Sequence, residues 1–95
     1  MSRHARRVDR NQPEIVATLR ACGWYWKDTS KLGDGFPDGL VAKHGRVWFV
    51  EIKDGAKVQS KQQLTPAQVR EHAAFKASGV PVVILRSVDD ALALR

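Results

Sequence analysis

Asp38, Glu51 and Lys53 are the residues of this chain whose types and spacing could do chemistry together. His44-Gly45 reads as a two-residue hairpin turn between two runs of β character. Such a turn sets Lys43 opposite Arg46, and counting outward along the paired strands sets Asp38 opposite Glu51. Directly opposed residues hold their Cβ atoms about 4.5–5.5 Å apart. Glu51 and Lys53 are two apart on one strand, so they share a face. The three side chains therefore converge at a strand end, and Phe49 and Val47 continue that face toward apolar core.

Two carboxylates that close repel each other unless positive charge sits with them. Lys53 supplies part of that charge. A hard divalent ion such as Mg²⁺ supplies more, because it favours a few carboxylates together with water and phosphate oxygens. Such an ion polarises a phosphoryl oxygen and activates water. Lys53 then either orients the attacking water or stabilises charge on the phosphate. The plain alternative is that Asp38 caps a loop and Glu51 and Lys53 form a solvated ion pair. The loop Gly33–Pro37 runs straight into Asp38, and an apolar strand ends in Glu51-Ile52-Lys53. Both features favour the chemical reading.

The elements that must position these residues are legible. The spacing of Ile15, Val16, Leu19 and Cys22 predicts a helix over 12–22, stopped by Gly23. Asn11 reads as its N-cap, with Pro13 in the first turn and Glu14 at capping-box distance. Trp24–Lys27 reads as a short strand, 28–37 as a loop, Asp38–Lys43 as a strand weakened by Gly39, and Arg46–Lys53 as the strongest strand. Residues 54–64 form a polar loop. Thr65-Pro66-Ala67-Gln68 is a capping box that opens a helix to about Ser78, with Gly79 as its stop. Val80–Arg86 reads as a buried strand, and Ser87 caps a last short helix carrying Ala91, Leu92 and Leu94. The order is α-β-β-β-α-β-α. The βαβ unit implies a right-handed crossover and parallel pairing of its strands. The fold expected is α/β, a small mixed β-sheet flanked by helices.

With 95 residues the chain is expected to form one domain over 11–95, behind a basic arm over 1–10 that carries Arg3, Arg6, Arg7 and Arg10. The 16 Lys and Arg outnumber the 10 Asp and Glu by six, which points to a polyanionic partner. Lys57 and Lys61, in the loop after Lys53, are further candidates to hold phosphate. No apolar run is long enough to span a membrane, and no apolar segment of secretory type follows the basic start. A lone Cys22 excludes an internal disulfide and a Cys-based zinc site, and the expected setting is cytoplasmic. His4, His44 and His72 lack metal-ligand spacing and read as structural or surface residues. Core packing is expected for at least two of Trp24, Trp26 and Trp48, for Cys22, and for Phe36 under its loop.

Pro37-Asp38 followed by Glu51-Ile52-Lys53 resembles the PD-(D/E)xK nuclease signature. The wider set resembles the VRR-NUC family of that superfamily, in its short stand-alone phage and bacterial form. That set is Gly35-Phe36-Pro37-Asp38, Gly45-Arg46, Phe49 to Lys53, Leu64 to Gln68, Gly79 to Ser87 and Asp89-Asp90-Ala91. It covers about 35–91, and the first helix fits the family architecture. The resemblance implies a restriction-endonuclease-like core and a Mg²⁺- or Mn²⁺-dependent DNA endonuclease. It implies that Asp38, Glu51 and the main-chain carbonyl of Ile52 ligate the metal and that Lys53 is catalytic. By the same resemblance Glu14 is the candidate to face the site as a further catalytic residue and metal ligand, and Gln68 the candidate to belong to it, with helix capping alone as the alternative role of each. It also implies a homodimer that resolves branched DNA such as a four-way Holliday junction, in a bacterial or phage-infected cell. A nicking or flap-type nuclease and a catalytically silent nucleic-acid-binding module remain the alternatives. Gly39 departs from the family pattern, which places a larger apolar residue after the aspartate.

Overall fold

The computed structural model describes residues 10–95. The elements are α1 (Gln12–Ala21), β1 (Tyr25–Asp28), β2 (Gly39–Lys43), β3 (Arg46–Ile52), α2 (Pro66–Ala77), β4 (Val82–Leu85) and α3 (Val88–Ala93), with short 3₁₀ turns at Ser30–Leu32 and Gln59–Lys61. Both the α/β class and the order of elements are as expected. The sheet order is β1-β2-β3-β4. The first three strands form an antiparallel meander, and β4 pairs parallel to β3 after the α2 crossover.

The hairpin has the register that its turn demands. His44 has φ 50° and Gly45 φ 78°, the paired positive values of a type I′ turn, which matches the twist of the flanking strands. Lys43 faces Arg46 and Gly39 faces Val50. Asp38 therefore enters β2 level with Glu51.

Alternation along the strands divides the sheet into two unlike faces. Trp26, Val41, Val50, Ile52 and Leu85 turn to one side, where Ile15, Val16 and Leu19 of α1, Trp24, and Ala91 of α3 close the main core. Trp24 and Trp26 are core residues, while Trp48 and Cys22 pack at its margin. The other face carries Phe49 and Glu51 under α2. The helix runs antiparallel to β3: Phe75 stacks on Phe49 at 4.7 Å, His72 meets Glu51, and Gln68 meets Lys53. Phe36 completes an aromatic trio at 5.8 Å from Phe49 and 5.5 Å from Phe75.

Three expectations are corrected. Val47 does not continue into core: it is 53% exposed, because α2 ends at Ala77 before it can cover that part of β3. β4 is an edge strand in which only Leu85 is buried, so its unbroken apolar run does not mark a fully buried strand. Asn11 makes no side-chain cap on α1. Instead its Nδ2 donates to the carbonyls of Lys53 and Arg86, both at 3.1 Å, and ties the start of α1 to the ends of β3 and β4.

The departure at Gly39 has a physical reason. A Cβ there would stand 2.1 Å from Cη2 of Trp26, whose indole lies across the glycine on the neighbouring strand. The ring fills the volume that a larger residue would take. Gly39→Ala is expected to destabilise the fold by about 1–3 kcal/mol through overpacking. Combined with Trp26→Leu, it should cost less than the sum of the two single changes. Thermal or urea unfolding of the four proteins checks this, and additive costs would contradict the contact.

Candidate active site

Asp38 reaches its place through a loop held on both sides. Thr29 Oγ1 donates to the Pro37 carbonyl at 2.7 Å, and Thr29 N–H donates to the Asp38 carbonyl at 2.9 Å. Pro37 is fully buried. On the other side Gly35, with φ 80°, passes so close to α2 that a Cβ would lie 2.4 Å from the Ala67 carbonyl group. Only glycine allows that approach, and it brings the Asp38 loop against the first turn of α2. The Asp38 side chain then turns inward, and its Oδ2 accepts the main-chain N–H of Ile52 at 2.7 Å.

Glu51 and Lys53 project from the end of β3 on the α2 side. The main chain there is fixed: Lys53 N–H donates to the Leu85 carbonyl at 3.0 Å, and its carbonyl accepts from Asn11. Glu51 is 1% exposed, Asp38 8% and Lys53 9%. These burials exclude the plain alternative, a solvated ion pair beside a loop cap. Buried ionised groups need partners, and Gln68 supplies several. Its Oε1 accepts from Lys53 Nζ at 2.9 Å and from the main-chain N–H of Thr65 at 2.9 Å. Its Nε2 donates to Glu51 Oε2 at 3.0 Å. Thr65 Oγ1 in turn accepts from Gln68 N–H, so the capping box is complete while the same side chain serves the site.

His72 is the member that sequence reasoning missed. Its Nε2 lies 3.2 Å from Glu51 Oε1. Burial lowers its pKa below the usual 6.5, and the Lys53 charge lowers it further, against opposing pulls from Asp38 and Glu71. The contact is a hydrogen bond between the imidazole and the Glu51 carboxyl group. The available signal was its position four residues after Gln68, which places both on one helix face. Asp54, 9% exposed, was also missed. Its Oδ1 accepts from Ala56 N–H at 3.0 Å and folds the chain back after Lys53.

The structure thus brings Asp38, Glu51, Lys53 and Gln68 together and adds His72. Among the described residues no hydrogen bond or ion pair links Glu14 to this group. Glu14 is exposed and lines a separate cavity of about 540 Å³ with Asn11, Asp54, Gln62 and Arg86. Arg10 is exposed just before α1, and Lys57 is exposed in the loop after β3. Lys61 falls in the second 3₁₀ turn. Arg3, Arg6 and Arg7, with the rest of the basic arm before Arg10, lie outside the described residues. Among the described residues no helix is long and apolar enough to cross a membrane.

No family model matches the chain. A curated relative, "Putative nuclease p44" of Acyrthosiphon pisum secondary endosymbiont phage 1, is 36% identical over 85 residues, which cover 87% of this chain and 86% of the relative. A solved structure described as a VRR_NUC domain superposes with a TM-score of 0.67 at 32% identity, covering 86% of each chain. The fold match and the sequence similarity together identify the chain as a nuclease. The chain belongs to the VRR-NUC family.

Replacing Gln68 by Leu is expected to leave Glu51 and Lys53 each short of a partner. Nuclease activity should fall about 10–100-fold, the usual effect of losing a group that orients functional side chains. Thr65→Ala, which removes only the cap, should lower thermal stability by about 1 kcal/mol with a much smaller effect on activity. Steady-state cleavage rates and unfolding curves of both variants separate the two functions of the helix start.

Proposed function

We propose that this nuclease is a Mg²⁺- or Mn²⁺-dependent DNA endonuclease. In this reading Asp38, Glu51 and the main-chain carbonyl of Ile52 hold the ion, and Lys53 is the catalytic lysine. One observation carries it: two buried carboxylates are fixed at neighbouring strand ends, and the amine beside them is held by a neutral amide. The donor set fits the ion. All the donor atoms are hard oxygens, two carboxylates and a main-chain carbonyl. The protein would thus contribute two carboxylates and a carbonyl and leave the remaining positions to water and phosphate, as Mg²⁺ prefers. When bound, the ion supplies Lewis-acid polarisation of the scissile phosphate and a more acidic water.

The chain's own residues do the rest. Asp38 is oriented by Ile52 N–H, so its second oxygen is directed rather than free to rotate. Lys53 Nζ, steadied by Gln68 Oε1, presents donors to an attacking water or to a phosphate oxygen. Arg10, Lys57 and Lys61, with Arg3, Arg6 and Arg7, are the proposed backbone contacts. Glu14, in its separate cavity, is proposed to contribute only after DNA or a second ion draws it toward the Lys53 strand end. That cavity adjoins this strand end through Asn11.

The finer reading is a homodimer acting on branched DNA such as a four-way junction. Its support is the open part of the sheet face that carries the site. Tyr25 is 59% and Val47 53% exposed there, next to the Phe36–Phe49–Phe75 cluster. A second copy would cover apolar surface of this kind and pair two sites for two strands.

Lys53→Ala is expected to abolish cleavage of a labelled four-way junction while leaving binding within a few-fold of wild type. EDTA should stop the wild-type protein, and Mg²⁺ or Mn²⁺ should restore it. Gel assays over linear, nicked, flap, fork and four-way substrates give the preference. Unchanged cleavage by the Lys53 variant, or cutting that persists in EDTA, would defeat the mechanism.

A further inference from the structure

We propose that His72 is a positioning residue for Glu51, fixing one oxygen of its carboxylate so that the group meets the divalent ion in a single orientation. The proposal rests on the metal-dependent reading above and adds to it a residue that reaches the site only through Glu51. Gln68 and His72 are one turn apart on α2, on the face turned to β3. Gln68 Nε2 takes Glu51 Oε2 at 3.0 Å, and His72 Nε2 takes Oε1 at 3.2 Å. A donor on each oxygen restrains rotation about the terminal bond more tightly than a donor on one oxygen does. Glu51 is 1% exposed, so bulk water cannot do the same work.

The chemistry of the donors matters as much as their number. A carboxylate only accepts, so the imidazole must carry its proton on Nε2. Each carboxylate oxygen has two acceptor sites, so a hydrogen bond at one does not by itself bar a cation from the other. The two donors sit one on each oxygen of the carboxylate, a neutral amide on Oε2 and a ring N–H on Oε1. A lysine or arginine at either position would compete with the ion directly. Among the described residues the buried cation beside the carboxylates, Lys53, directs its Nζ to Gln68 Oε1.

Two polar replacements separate the roles. His72→Gln carries an amide N–H to nearly the reach of Nε2, whereas His72→Asn falls one methylene short of Glu51. Mn²⁺ binding to the full chain without DNA is read from the electron paramagnetic resonance signal of free Mn²⁺, with Glu51→Gln as the reference for loss of the site. His72→Asn should weaken Mn²⁺ binding about 10–100-fold, the usual effect of removing a group that orients a metal ligand. His72→Gln should stay within a few-fold of wild type, and unfolding temperatures in EDTA should be alike for both. Equal Mn²⁺ affinity for wild type and His72→Asn would overturn the proposal. Equal losses for the Gln and Asn variants would overturn it too, because the imidazole would then act as a ligand or as packing. If wild-type binding is absent, or is unchanged in Glu51→Gln, the metal reading itself fails and the positioning role fails with it.

Discussion

The site hangs on one amide. Gln68 accepts from the Thr65 main chain, accepts from Lys53 and donates to Glu51. Each bond alone is ordinary, but Gln68, Lys53 and Glu51 are each nine-tenths or more buried. Inside the fold a polar group without a partner costs more than the paired group gains, so the hub is held to complete satisfaction. The start of α2, the end of β3 and the candidate catalytic lysine are therefore one unit. A helix that began a residue earlier or later would present a different side chain to all three.

The rest of the fold serves to bring that helix start to that strand end. The type I′ turn at His44-Gly45 fixes the β2–β3 register and so the level at which Asp38 meets Glu51. Gly35 lets the Asp38 loop touch α2 at a distance no side chain would permit. Asn11 gathers the carbonyls after β3 and β4 under the start of α1. The main core lies on the opposite face of the sheet, where α1 and α3 pack. Apolar burial and polar chemistry are thus separated by the thickness of one sheet. The carboxylates stand on rigid strands without needing to share the core.

Much of this was legible from the sequence because the signals were local. A two-residue turn, a period-two strand and a Thr-Pro-x-Gln capping box each act over a few residues, and each appears where expected. The βαβ order follows from such pieces. What stayed hidden depends on contacts far apart in the chain. His72 could not be distinguished from a surface histidine until α2 was seen to lie antiparallel on β3. Asn11 had the residue type of a cap, yet its amide found two distant carbonyls and took them instead. Gly39 looked like a defect until the indole of Trp26 was seen to occupy the missing volume. Val47 was assigned inward by alternation, which gives the face correctly but not whether a helix extends far enough to cover it.

Charge divides across the molecule in the same manner. A chain with six more cationic than anionic side chains attracts a polyanion broadly. Within that positive field the end of β3 holds Asp38 and Glu51 beside one buried lysine. The account stands or falls on whether a divalent ion enters between those two carboxylates. The most direct measurement is anomalous diffraction from crystals of the protein grown with Mn²⁺. The account predicts a peak within coordination distance of Asp38, Glu51 and the Ile52 carbonyl. A fully occupied peak elsewhere, such as in the cavity lined by Glu14 and Asp54, with none between Asp38 and Glu51, would contradict it.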